Sequence, residues 1–205
     1  MLDATNLECV RGNRRLFKNV SFSMRPGDLV QLIGPNGSGK TSLIRMLCGL
    51  LPPTSGEIRW RGTRISALGE EYYSAVTYLG HRHGAKDEFT ALENLRVSSG
   101  LSGCEITHEQ AMDVLTRVGL NGRENLAARL LSEGQRRRLG LARLLVRQTS
   151  LWLLDEVLTS LDEAAAESIK LLMVEHLDKG GMAVVATHQE LDLSVNHFQR
   201  IELAS

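Results

Sequence analysis

Gly34, Gly39, Lys40 and Thr41 complete the pattern G-x-x-x-x-G-K-[ST], and they follow a short apolar run, Leu29-Val30-Gln31-Leu32-Ile33. The setting is strand, glycine-rich loop, helix, which is where this pattern carries chemistry. A triphosphate needs a concave ring of backbone N–H donors. Glycines at 34, 37 and 39 let the chain curl and come close to an anion. The helix opening at Lys40 points its positive end at the phosphates. Lys40 adds a full charge to the β- and γ-phosphates, and the Thr41 hydroxyl can ligate Mg²⁺. The loop residues Gly34, Pro35, Asn36, Gly37, Ser38 and Gly39, with Lys40, Thr41 and Ser42, are the candidate ATP-binding set. A plain glycine turn before a helix is the alternative, and the filled motif in this context argues against it.

A second station is Leu151-Trp152-Leu153-Leu154-Asp155-Glu156, an apolar strand ending in two acids. Ligands of parallel α/β sheets bind at the carboxyl ends of strands. Beside a phosphate loop, Asp155 can hold Mg²⁺ through water and Glu156 can serve as general base. Without the phosphate loop the same pair reads as surface acids. A third station is Leu131-Ser132-Glu133-Gly134-Gln135, where Ser132 is an N-cap and the turn's N–H groups form an anion site. Alone it is a capping motif. His188, at the end of a predicted strand, by itself reads as a structural histidine.

The elements that must position these stations follow from patterning. Residues 2–10 and 16–24 alternate and flank Arg11-Gly12-Asn13, which predicts a hairpin. Strands are predicted at 29–33, 57–61, 76–79, 150–154, 182–187 and 198–203. Helices are predicted at 40–48, 91–98, 108–118, 133–147 and 162–177, with a short one near 189–194. Strands alternating with helices imply a parallel sheet covered on both faces. The region from about 82 to 135 changes to helix and Gly/Ser-rich loop, and reads as an insert in that α/β core.

Composition narrows the class. The chain has 205 residues, 24 basic and 24 acidic, so bulk charge does not drive it to nucleic acid or an anionic membrane. Cys9, Cys48 and Cys104 have no metal-ligand spacing and suggest reduced thiols. No run approaches 18 apolar residues and no signal peptide is visible, so membrane location is expected through a partner.

Taken together, these motifs resemble the ATP-binding subunits of ABC transporters. Walker A is 34–41, the signature 131–135, Walker B 151–156, the D-loop Ser160-Leu161-Asp162 and the switch histidine His188. The resemblance implies a single α/β domain over 1–205 with the P-loop NTPase (RecA-like) ABC ATPase fold. That fold has a mostly parallel sheet, an N-terminal antiparallel β subdomain and a helical subdomain. It also implies two copies closing head to tail around two ATP molecules. Ser132, Gly134 and Gln135 would then meet the γ-phosphate in trans, while Glu156, His188 and Lys40 act in cis. His81 stands where a glutamine usually senses Mg²⁺ and the membrane partner. Arg11 takes the approximate place of an adenine-stacking aromatic, with Phe17 the other candidate.

A finer resemblance rests on His81-Arg82-His83-Gly84-Ala85-Lys86, Thr90-Ala91-Leu92-Glu93-Asn94-Leu95, Leu151-Trp152 and Thr187-His188-Gln189. These resemble the CcmA family, the ATPases of cytochrome c maturation. That implies work with membrane subunits of the CcmB, CcmC and CcmD type at the cytoplasmic face of the bacterial inner membrane. The implied activity is haem export or handling and release of the haem-loaded chaperone CcmE, without direct haem or nucleic-acid binding. Alternatives are another small exporter ATPase, of lipoprotein-release or drug-export type, a soluble ABC ATPase, and a P-loop kinase. Departures at His81, Glu133, Val157 and Arg11 predict reduced intrinsic turnover. Arg136, Arg137, Arg138, Arg143 and Arg147 are expected on a solvated or subunit-facing surface. The Leu and Met positions of 167–177 are expected in the core, and Cys48 behind the phosphate loop. His81-x-His83 is not read as a metal pair.

Overall fold

The computed structural model describes residues 1–80, 84–157, 163–188, 191, 193, 195 and 197–203, with backbone alone at 163–165. Its elements are β1 (Leu2–Arg11), β2 (Arg14–Met24), β3 (Asp28–Ile33), α1 (Lys40–Leu47), β4 (Ser55–Trp60), β5 (Thr63–Arg64), α2 (Ile65–Leu68), α3 (Glu70–Ala75) and β6 (Val76–Leu79). They continue as α4 (Ala91–Leu101), α5 (His108–Arg117), α6 (Glu133–Val146), β7 (Leu151–Asp155), α7 (Glu163–Asp178), β8 (Met182–Ala186) and β9 (His197–Glu202). The chain divides into two compact units. One comprises residues 1–78, 149–157 and 172–205; the other comprises 79–148 and 158–171.

The first unit carries both sheets. The antiparallel sheet runs β2-β1-β4-β5 and the second runs β6-β7-β8-β3-β9. Pairings β3–β8, β3–β9 and β7–β8 are parallel. In β7 and β8 every residue is buried, as strands covered on both faces require. β1 buries Leu2, Ala4, Leu7 and Cys9, so its two-residue period slips once. The slip is a bulge at Asn6, whose φ is 50°, and the β2 partners shift there from Ala4–Phe22 to Leu7–Val20. Gly56 faces that bulge: a Cβ on it would lie 2.4 Å from the carbonyl oxygens of Thr5 and Asn6. The core joins α1 (Leu43, Ile44, Leu47) to Leu151, Leu153, Val184 and Trp60.

The second unit contains α4, α5 and α6, closed over Leu92, Leu95, Ala111, Leu115, Leu131 and Leu139. Capping boxes start all three helices, at Thr90/Glu93, Thr107/Gln110 and Ser132/Gln135.

The predicted strands and the longer helices are present, with ends moved by a few residues. Helix α4 continues through Ser98-Ser99-Gly100 to Leu101, where a loop was expected, because Ser99 is buried and its hydroxyl donates to the Cys104 carbonyl. The short helices α2 and α3 were not foreseen; only Tyr72 is buried in them, too little for a periodic signal. Two surface expectations are corrected. Arg137 is 4% exposed, buried in α6 rather than solvated, while Leu171 of α7 is 68% exposed, so the 167–177 core consists of Ile169, Met173 and Leu177. Of the expected helix near 189–194 only residues 191 and 193 are described, and neither is helical; the D-loop at 160–162 falls outside the described residues.

Candidate functional site

The phosphate loop joins the end of β3 to the start of α1. Pro35, Asn36 and Gly37 form its exposed lip, and Ser38, Gly39 and Lys40 are buried. Gly34, Gly37 and Gly39 have φ of 147°, 78° and 105°, values at which a side chain is strained. Space reinforces the demand at two of them. A Cβ on Gly34 would sit 2.7 Å from Ser38 Oγ and 2.6 Å from the Leu203 carbonyl oxygen. One on Gly39 would sit 2.8 Å from the Phe17 ring.

Lys40 is 5% exposed and its Nζ donates to the carbonyls of Gly34 (2.8 Å) and Pro35 (3.1 Å), spanning the loop. α1 has no side-chain cap at Gly39, so its first N–H groups keep their donors directed out of the helix end. Ser38 Oγ is buried with no hydrogen-bond partner among the described residues. A glycine cradle that a Cβ would fill, an uncapped helix N-terminus, a buried ammonium and an orphaned hydroxyl fit a bound polyphosphate. Behind the loop, burial raises the pKa of the Cys9 thiol, and a side-chain hydrogen bond with Ser42 opposes that rise.

Three parallel strands end level with each other here. Leu32 of β3 pairs with Ala186 of β8, and Asp155 of β7 pairs with the same Ala186. Asp155 is 2% exposed and accepts from Thr41 Oγ1 at 3.1 Å. This hydroxyl and carboxylate, with phosphate oxygens and water, suit Mg²⁺, which uses few protein ligands beside a phosphate. No cluster of three His, Cys, Asp or Glu side chains that could hold a metal exists among the described residues. Beneath Asp155, burial and then the nearby carboxylate push the Cys48 thiol up to about 12. Tyr78 is raised too, first by burial and then by Asp155, while a hydrogen bond from Arg45 pulls the other way. Arg45, Cys48 and Tyr78 share no spacing in the sequence that marks them as this floor; Cys48 alone is the residue expected behind the loop.

Glu156 has φ 57°, a left-handed conformation rare for a residue with a side chain. Its N–H donates to the Ala186 carbonyl at 2.9 Å, which fixes the turn out of β7. His188 Nε2 lies 3.2 Å from Glu156 Oε1, so the two catalytic candidates from different strand ends are brought together. Arg11 is exposed at the end of β1. Phe17 is 5% exposed and packs on Gly39, which removes it as a stacking platform. His81 lies outside the described residues.

In the other unit, Ser132 caps α6. Its Oγ accepts from the Gln135 N–H at 3.2 Å and its own N–H donates to Gln135 Oε1 at 2.9 Å. As an acceptor in that bond, the Ser132 hydroxyl keeps its proton for an anion. Gly134 has nothing within 4 Å of where a Cβ would stand, so its side of the helix end is open.

The family model for ABC transporters matches residues 17–159. The chain belongs to the ABC transporter family. Within that family, the cytochrome c biogenesis ATP-binding export protein CcmA of Nitrosomonas europaea is 60% identical over 194 residues, 95% of this chain and 91% of the relative. An ATP-binding protein from Pyrococcus furiosus, assigned to an ABC transporter, superposes with TM-score 0.85 at 22% identity, covering 98% of this chain and 96% of that one. Another ATP-binding cassette, solved as a dimer in a post-hydrolysis state with ADP and Pi, gives TM-score 0.80 at 24% identity, covering 92% and 88%. The ABC ATPase fold expected from the motifs is therefore the fold of this chain.

Proposed function

We propose that this ABC transporter subunit hydrolyses ATP to drive a membrane complex in c-type cytochrome biogenesis, through haem export or handling and release of the haem chaperone. The 60% identity to a cytochrome c biogenesis export ATPase, over nearly the whole of both chains, supports the pathway. The observation that carries the activity is the contact of Thr41 with Asp155 beside the phosphate loop, with Glu156 and His188 at the neighbouring strand end.

In this reading residues 34–42 hold the triphosphate, Lys40 neutralises its β- and γ-oxygens, and Thr41 and Asp155 position Mg²⁺. His81 would join that metal shell. ATP with Mg²⁺ supplies the transferable phosphoryl group. Glu156 accepts the proton of the attacking water, and His188 holds both Glu156 and the γ-phosphate. Arg11 offers its guanidinium to the adenine. Ser132, Gly134 and Gln135 close the site from a second copy, so closure depends on the γ-phosphate. The helical segment from about 82 to 135 is the insert that carries this second wall. No helix among the described residues is long and apolar enough to cross a membrane. Membrane subunits of the CcmB, CcmC and CcmD type would hold the chain at the cytoplasmic face of the inner membrane.

The test is Lys40→Ala and Glu156→Gln, each scored for ATPase activity of the complex and for holo-cytochrome c in cells. Loss of both readouts is expected. Normal holo-cytochrome c with an inactive ATPase would overturn the pathway and leave the ATPase assignment standing.

A further inference from the structure

We propose that Arg136 is a positioning residue for the signature turn, holding residues 129–132 in the shape that receives a nucleotide phosphate. The proposal rests on the reading that Ser132 and Gly134 complete a site on a second copy. Arg136 lies one turn into α6, where a cation is opposed by the helix's own positive end. Its guanidinium does not face outward along the helix. It reaches back over the entering chain: Nε donates to the Leu131 carbonyl at 3.2 Å and Nη2 to the Arg129 carbonyl at 2.9 Å. Its N–H donates to the Ser132 carbonyl at 2.9 Å. One side chain and its own backbone thus hold three carbonyls of the approach to the turn.

The same group ties the turn to the segment that follows residues 81–83. Nη1 stands 3.9 Å from Asp87 Oδ1. The Asp87 carbonyl accepts from Arg129 N–H at 3.1 Å, and the Phe89 carbonyl from Ala128 N–H at 2.8 Å. Thr90 bridges Ala127. Buried Asn94 then fixes that segment, donating to the carbonyls of Lys86, Phe89 and Thr90 and accepting from Lys86 N–H. The result is a hydrogen-bonded bracket between 86–90 and 127–132, with Arg136 as its clasp. A planar fork suits two carbonyls at once; an ammonium offers one point charge and does not reproduce it.

Arg136 touches no phosphate-binding atom itself, so its loss should appear in association and not in nucleotide binding by a single chain. The test uses the full chain carrying Glu156→Gln, with ATP-driven association read by sedimentation and single-chain ATP affinity by a fluorescent analogue at high dilution. Arg136→Ala should weaken association about tenfold, the equivalent of one charge-assisted hydrogen bond. Arg136→Lys should recover only part. Single-chain ATP affinity and the melting midpoint should stay near those of the parent. An equal fall in single-chain affinity, a large drop in melting midpoint, or full function of Arg136→Lys would overturn the assignment.

Mixing separates this proposal from the reading beneath it. A chain with Lys40→Ala supplies an intact signature turn to a chain with Arg136→Ala, so one complete site forms and association should exceed that of either alone. Ser132→Ala mixed with Lys40→Ala is the control. Recovery with Ser132→Ala but not with Arg136→Ala overturns the role of Arg136 alone. Recovery with neither overturns the two-copy site and the proposal with it.

Discussion

Glu156 combines the expected catalytic role with an unfavourable backbone, and the two can be separated by substitution. Its φ of 57° lies where a Cβ crowds the following carbonyl, at a cost of about 1–2 kcal/mol. Glycine escapes that cost but has a more disordered unfolded chain than alanine, worth about 0.4–1 kcal/mol against it. Both replacements remove the contacts of the carboxylate equally, including that with His188 at 3.2 Å. The difference leaves Glu156→Gly more stable than Glu156→Ala by about 0.5–1 kcal/mol, or about 1–4 °C in a chain of this size. Glu156→Gln keeps the backbone strain and the shape while removing the base, so hydrolysis should fall by about 10²–10⁴-fold. Thermal melts of the variants and a phosphate-release assay read these effects. An alanine variant melting above the glycine variant would refute the strain argument. A glutamine variant with parental turnover would refute the base.

Two further predictions follow from buried ionisable groups. Asp155→Asn preserves the Thr41 contact in shape but removes a 2% exposed charge, so the protein without Mg²⁺ should be more stable by about 1 kcal/mol. Its ATPase should also need at least about tenfold more Mg²⁺, measured by metal titration. His176 stacks on Trp152 with ring centroids 3.9 Å apart and shares a hydrogen bond with the Met182 carbonyl. Burial lowers its pKa from 6.5, with the Met182 bond opposing. The unfolded chain therefore binds the proton more readily, so stability is full above about pH 6.5 and declines as pH falls below it. Denaturant melts at several pH values should show that slope, at most about 1.4 kcal/mol per pH unit, and His176→Phe should flatten it while keeping the stack.

The phosphate loop and the acidic strand end were legible because each writes its chemistry in consecutive residues. Glycines at 34, 37 and 39 answer a backbone demand, and their φ values repeat that demand in three dimensions. The nearness of Thr41 to Asp155 could be argued only from topology, since 114 positions separate them. Arg137 and Leu171 were misplaced because helix patterning assigns a residue type to a face, while burial depends on what packs there. Phe17 is the second adenine candidate by sequence, yet it is buried. Its contact with Gly39, set by how β2 passes behind the loop, was invisible in sequence. The floor under Asp155 was invisible for the same reason: Arg45, Cys48 and Tyr78 come from a helix and a strand with no shared spacing.

The two halves of the proposed ATP site are held in different ways, and that difference bears on how the site works. The Walker half sits on three parallel strands in register through Leu32, Ala186 and Asp155, each hydrogen-bonded along its length. Moving it requires breaking sheet. The signature half is a helix start fixed by a capping box and by the three carbonyls that Arg136 holds, all bonds at or near the surface of the second unit. Bonds of that kind open at lower free energy than a buried ladder. A strained Glu156 also belongs on the rigid half, because only an over-determined backbone keeps a left-handed glutamate in place. The adjustable part of the proposed closure is then the 86–90 and 127–132 bracket. Within the second unit, the bonds of Asp87, Arg129 and Arg136 connect 86–90 to Ser132.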